Sequence, residues 1–202
     1  MTALTLFDLA IRSMRKNIKH YYLYFFALIL SVVLYFVFAT LQYDQAIVEQ
    51  GNKMISSAFL AAGILLIFIA GIFIVYANSI FLKRRSREIG LYQLIGLKKR
   101  TVARLLIVEN TLLGIGALIV GIVIGMLVSR VFLLLLLKLI GFETTISVSF
   151  SIEAVLQTIA VFIGIFALTT IQMIRTVYRN TLLSLFNTEK AGEHPKKPKT
   201  SS

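Results

Sequence analysis

The 202-residue chain has no cysteine and no tryptophan, only two prolines, and 9 acidic residues against 21 basic ones. Without cysteine there is neither a disulfide framework nor a thiolate metal site. The two histidines, His20 and His194, lie in basic polar contexts and are too few for a histidine-based metal centre. What is present in excess is apolar surface. Hydrophobic residues make up 58% of the chain, more than a soluble domain of this size can bury, so the chain belongs in a bilayer.

Long uncharged runs locate the crossings. Tyr21 to Tyr43 holds 23 residues without a charge, enough for the roughly 20 that a hydrocarbon core requires. Met54 to Leu82 is uncharged over 29 residues, so this second span must tilt or project beyond the lipid. Leu105 to Ser129 is apolar apart from Glu109 and Asn110, and Ala154 to Ile174 gives a fourth span. The predicted spans are therefore 21–43, 54–82, 105–129 and 154–174. The first lacks the short apolar core and the small-residue cleavage site of a signal peptide, and is expected to stay attached.

All but three of the 21 basic residues precede the first span, separate the second from the third, or follow the fourth. The exceptions, Lys53, Arg130 and Lys138, fall on the other side. By the positive-inside rule both termini and the 83–104 segment are expected in the cytoplasm. The basic charge is thus a topology signal, and no nucleic-acid partner is expected.

Leu4, Phe7, Ile11, Met14 and Ile18 recur at three- and four-residue spacing with Arg12, Arg15, Lys16 and Lys19 off that stripe. This predicts an interfacial amphipathic helix over 1–20, serving either as an anchor at anionic headgroups or as a partner contact. The near-continuous apolar run Val131 to Ile140 would make the third span far longer than the bilayer. It is expected to form a separate short helix in the outer leaflet, with Arg130 snorkelling to the headgroups. Residues 187–202, with Pro195, Pro198 and several lysines, read as a disordered basic tail.

Gly114, Ala117, Gly121, Gly125 and Ser129 form a small-residue stripe in span three. It permits close helix approach either at a subunit interface or, as expected here, within one four-helix bundle. Glu109 and Asn110 lie about one turn inside the span. An intramembrane carboxylate is costly and a functional candidate; the expected role is an interfacial ion pair with a basic residue, the alternative a ligand for a proton or substrate in an autonomous carrier.

The run Lys83 to Arg100 is charged yet amphipathic. Span two is expected to continue as a helix past the membrane until Gly96 stops it. Ile89, Tyr92 and Ile95, with Leu91 and Leu94 beside them, would form an exposed apolar face suited to a partner groove, or else pack against the chain's own N-terminal helix. Five residues separate Gly90 from Gly96, and Leu97 follows, so the phosphate-binding P-loop pattern fails. No nucleophile-base set, metal cluster or carboxylate pair stands out, and neither catalysis nor a cofactor is expected.

The segment Lys83 to Lys99, centred on Arg-Arg-Ser-Arg-Glu-Ile-Gly-Leu-Tyr-Gln-Leu-Ile-Gly, closely resembles the signature of FtsX-like ABC-transporter permeases of the bacitracin-export type. Leu6-Phe7-Asp8-Leu9-Ala10, Tyr22-Leu23-Tyr24-Phe25-Phe26, Leu34-Tyr35-Phe36-Val37-Phe38 and Val108-Glu109-Asn110 add to the likeness, which runs from Thr5 to Phe186. It implies an all-α membrane domain over 21–186, the N-terminal four-helix half of such a permease, in a bacterial plasma membrane. It also implies a non-catalytic subunit of a type VII, mechanotransmission transporter, driven by cytosolic ATPase subunits and protecting against peptide antibiotics. Arg87, Glu88, Ile89, Gly90, Leu91, Tyr92, Leu94, Ile95 and Gly96 would be its coupling helix. Leu182, Leu183, Leu185 and Phe186 would be a second ATPase contact. Further implied partners are the other permease half or a second copy, and a sensor histidine kinase. A non-transporting membrane adaptor that binds the ATPase or the kinase is the competing reading.

Overall fold

The computed structural model describes residues 8, 11, 12, 14, 15, 18–43, 53–140 and 151–179. Four long helices carry nearly all of them: α1 Ile18–Tyr43, α2 Lys53–Leu94, α3 Lys99–Ile140 and α4 Ile152–Arg179. Each contains a stretch long and apolar enough to cross a membrane, Tyr21–Tyr43, Ser57–Ser86, Lys99–Leu135 and Ile152–Arg179. The all-α, four-span expectation is met.

In hydrocarbon every polar backbone group must be satisfied within the chain, which makes a helix the default for each run. Polar side chains in the spans follow the same rule. Ser31, Thr40, Ser79, Thr111, Thr158 and Thr176 each donate their hydroxyl to the carbonyl four residues earlier. Their protons are thereby removed from the apolar medium without breaking the helix.

α1 is the hub. Its apolar stretch is far more buried than those of α2 and α3, and it packs against all three other helices, whereas α2 and α3 meet each other least. Tyr21, Tyr24, Leu28, Val32, Tyr35, Phe36 and Ala39 of α1 form the spine of the core. α3 approaches this spine closely because its own residues are small. A Cβ on Gly121 would lie 2.6 Å from Val32 Cβ, and one on Gly125 would lie 2.7 Å from Phe36 Cδ1. Gly114 does the same toward α4, where a Cβ would meet the Phe166 ring at 2.9 Å. Ala117 and Ser129 are buried on the same stripe. The small residues are therefore used within one bundle.

Two helices exceed the bilayer. α2 and α3 each have 42 residues, about 63 Å at 1.5 Å per residue, roughly twice a hydrocarbon core. α2 runs unbroken from Lys53 through the basic run to Leu94. For α3 the length corrects the sequence reading: the 105–129 span does not end near Ser129, and Val131 to Ile140 is no separate helix but the unbroken continuation of α3. Nothing between Ser129 and Ile140 stops a helix, since the run has no glycine or proline and is rich in leucine. Crossing length alone does not interrupt a backbone.

α2 ends where Gly96 was expected to end it. Gly96 has φ of 92°, a left-handed conformation that glycine adopts without penalty. Its N–H donates to the Gln93 carbonyl at 3.1 Å, and Leu97 N–H reaches back to the Tyr92 carbonyl at 3.0 Å. That pair of bonds is a Schellman motif. Tyr92 and Leu97 both pack on the core, supplying its apolar clasp. At the other end of the bundle Ser151 caps α4 by accepting from Ala154 N–H at 3.2 Å.

At the N-terminus, Asp8, Ile11, Arg12, Met14 and Arg15 are helical, and Met14 packs against the core. The rest of the expected interfacial helix, residues 182–186 and the 187–202 tail lie outside the described residues.

Candidate functional site: a buried polar lock beside an exposed apolar face

Near the end of α2 that carries the basic run, polar groups from all four helices converge. Arg85 and Glu109 are each only 1% exposed and form a salt bridge between α2 and α3. Glu88, one turn along α2, takes a second contact from the same guanidinium, with Arg85 Nε donating to Glu88 Oε2 at 3.2 Å. The remaining faces of the guanidinium are covered by aromatic rings. Its centre lies 5.1 Å from the Tyr21 ring of α1 and 5.6 Å from the Phe81 ring of α2, within cation–π range. Phe81 is itself stacked with Tyr24 at 5.2 Å. Burial of a charge is tolerated only when it is paired and hydrogen-bonded, and this site supplies both.

Beside the ion pair a neutral network continues into α4. Tyr24 Oη donates to Asn110 Oδ1 at 3.0 Å, and Asn110 Nδ2 faces the hydroxyl oxygens of Thr169 and Thr170, each at 3.3 Å. Asn78 of α2 donates to Gln172 Oε1 at 2.9 Å and lies 3.4 Å from the Thr169 carbonyl. Gln172 Nε2 in turn donates to Ser79 Oγ. One polar layer thus ties α1, α2, α3 and α4 together at the base of the α2 extension. In an apolar medium such bonds have few competitors, so the layer fixes the relative register of the helices.

Glu109 is accordingly found in an ion pair with a basic residue, and both partners are buried within the bundle. Sequence reading missed its partner: Arg85 sits in a run of basic residues, and counting it as a topology signal hid its burial. Asn78, Thr169, Thr170 and Gln172 were missed too. Their signal was legible as polar residues inside otherwise apolar spans, with Thr169 and Gln172 three residues apart on one face of α4.

The helical extension beyond the lock divides into two faces, and this corrects the predicted one. Ile89 is 4% exposed and belongs to the core, Gly90 is buried, and Tyr92 is half-buried against the bundle. They do not form part of an exposed stripe with Ile95. The exposed apolar residues are Leu91, Leu94 and Ile95, the last 73% accessible, bordered by the exposed Lys98 and Arg100. Three-residue recurrence could not distinguish the two sides, because both faces of this short helix carry apolar groups. Glu88 and Gln93 are partly exposed. Arg87 lies in the helix, its side chain outside the described set, and Gly96 closes the helix as above. No cluster of metal-ligating side chains occurs among the described residues.

Four apolar spans knitted by a buried polar layer define a multi-pass membrane protein. The chain belongs to the FtsX-like permease family: the pattern of the FtsX-like permease C-terminal domain matches residues 60–182, which include α3, α4 and most of α2. It is 43% identical over 187 residues to the bacitracin export permease protein BceB of Bacillus subtilis, covering 92% of this chain and 29% of that protein. With the bacitracin export permease protein BceB of Halalkalibacterium halodurans the identity is 44% over 192 residues, 94% of this chain and 30% of the relative. An uncharacterized ABC transporter permease of Bacillus subtilis, YvcS, is 26% identical over 185 residues, 90% of this chain and 29% of its own length. The chain therefore spans about three-tenths of the length of these relatives.

Proposed function

We propose that the chain is a non-catalytic permease subunit, or half-subunit, of a mechanotransmission ABC transporter of the bacitracin-export type. It acts in a bacterial plasma membrane with the basic end of the bundle and both termini facing the cytoplasm. The substrate class, a cell-wall-directed peptide antibiotic, comes from the likeness to the two bacitracin export permeases. The observation that carries the mechanical part is α2 itself, an uninterrupted helix from Lys53 to Leu94 that spans the bilayer and ends in the exposed patch Leu91, Leu94 and Ile95.

A rod of this kind transmits displacement only if it is braced where it leaves the lipid. The Arg85–Glu109 pair and the Asn78–Gln172 and Asn110–Thr169 contacts supply that brace. In this reading ATP hydrolysis belongs to separate cytosolic ATPase subunits, whose closure pushes on the apolar patch. The braced lock passes the movement to α3 and α4. Leu182, Leu183, Leu185 and Phe186 form a second ATPase contact, and the complete transporter includes the other permease half or a second copy, and works with a sensor histidine kinase.

The test is capture of the ATPase from membranes by the tagged chain. Replacing Leu91 and Leu94 together by Asp is expected to abolish capture while leaving the chain folded, since both side chains are exposed. Undiminished recovery would refute ATPase docking at this face.

A further inference from the structure

The half of α3 farther from the basic end carries a regular apolar pattern on the side turned away from its own bundle. Val120, Ile124, Leu127, Val131 and Leu134 are exposed and recur at alternating four- and three-residue steps, and the next step falls on the exposed Lys138. Written as a heptad, this places Ile124, Val131 and Lys138 at a, with Leu127 and Leu134 at d. The flanking positions agree. Val123 and Arg130 at g and Val128 and Leu135 at e are exposed, whereas Met126 and Leu133 at c and Ile122 and Ser129 at f are covered by the bundle. A seam therefore runs opposite the side that α3 already uses.

Lipid tails reach only part of this seam. Arg104 and Arg130, exposed cations that bracket the apolar run, stand about 39 Å apart along the helix, more than a hydrocarbon core of roughly 30 Å. α3 also outruns its neighbours. Gly125 lies level with Phe36 of α1; α1 then ends at Tyr43, and α3 continues to Ile140, about eight residues or roughly 12 Å farther. α2 starts shortly above Phe59, which meets the Phe38 ring, and α4 starts shortly above Gln157, which donates to Tyr35 Oη, so neither helix accompanies the overhang. Leu139 there is 87% exposed.

We propose that a second copy of this chain covers the seam, the two α3 helices packing in parallel about a twofold axis normal to the membrane. Copies inserted with the same topology meet in parallel, and β-branched residues at a with leucine at d favour two parallel strands. A lipid coat requires no 3.5-residue period; knobs-into-holes packing does. Lys138 at a sets register and strand number, its ammonium reaching water at the end of the overhang. Seam and flanks together expose on the order of 800 Å² of apolar side chain per copy, the area that a stable dimer buries on each partner. The proposal deepens the proposed function, choosing the second copy where that reading admits either it or the other permease half. Dimerisation needs no ATPase, so failure of ATPase capture leaves it standing.

The test is disulfide cross-linking in native membranes, for which the cysteine-free chain is a clean background. Leu127→Cys and Leu134→Cys are each expected to give a disulfide-linked dimer under mild oxidation. Leu60→Cys, on the exposed side of α2 beside Phe59, should stay monomeric. Light scattering of the chain in mild detergent should report a dimer mass, and L127A/L134A, which trims only exposed side chains, a monomer mass. Equal cross-linking at all three sites marks random collision and would overturn the proposal. Absence of linkage at Leu127→Cys and Leu134→Cys, or a monomeric wild type, would also overturn it, leaving the seam to lipid or to a different permease half. So would a dimer that survives L127A/L134A.

Discussion

Arg85 shows why residue identity and residue role part company in this chain. In sequence it is one of four cations in five positions; in the bundle it is enclosed by Glu109, Glu88, Tyr21 and Phe81. Removing one partner leaves an unpaired charge in a low-dielectric setting, at a cost of about 3–5 kcal/mol, whereas replacing both by apolar residues of similar volume is often neutral. Glu109→Leu and Arg85→Met are therefore each expected to lower thermal stability in detergent sharply. The R85M/E109L double variant should recover most of the loss. Additive losses would show that the two side chains do not act as a pair. Ile89 and Leu91 make a parallel contrast two positions apart: Ile89→Asp is expected to reduce the yield of folded protein, because the carboxylate enters the core. Leu91→Asp should leave yield unchanged. Size-exclusion profiles of the two variants distinguish these outcomes.

At the scale of helices, the sequence was most legible where a single physical cause dominates. Uncharged length located all four spans. The absence of helix breakers before Gly96 agrees with an unbroken helix up to Leu94, which the left-handed Gly96 turn stops. Small residues at four-residue spacing marked the face of α3 that meets α1. Legibility failed at Val131 to Ile140, where bilayer thickness was used to end a helix that has no local reason to end, and at Ile89, where periodicity could not say which apolar face the bundle would take.

The glycines give a sharp test at this level. Gly121→Ala places a methyl 2.6 Å from Val32 Cβ, and overpacking of this kind costs about 1–3 kcal/mol. Gly63→Ala and Gly71→Ala meet nothing within 4 Å, and higher helix propensity should make each neutral or stabilising by up to about 1 kcal/mol. Thermal unfolding of the three variants in one detergent orders them. Equal effects would contradict the close α1–α3 approach.

For the whole molecule, the polar layer and the long helix form one packed object. α1 sits at the centre, α3 and α4 are tied to it and to α2 by the network around Glu109 and Asn110, and α2 carries that brace out to Leu94. Membership of the FtsX-like permease family follows from residues 60–182, a stretch that contains most of this object. The candidate lock was only half visible in advance, through Glu109 and Asn110, because a buried polar layer is a property of four helices in register and a linear pattern shows one helix at a time.

The central claim is that α2 emerges on the cytoplasmic side and presents Leu94 to a soluble partner there. The chain has no native cysteine, so Leu94→Cys provides one addressable site. A membrane-impermeant maleimide is predicted to label it only after cells are permeabilised, with labelling suppressed when the ATPase is co-expressed. Labelling of Leu94→Cys in intact cells would contradict the account.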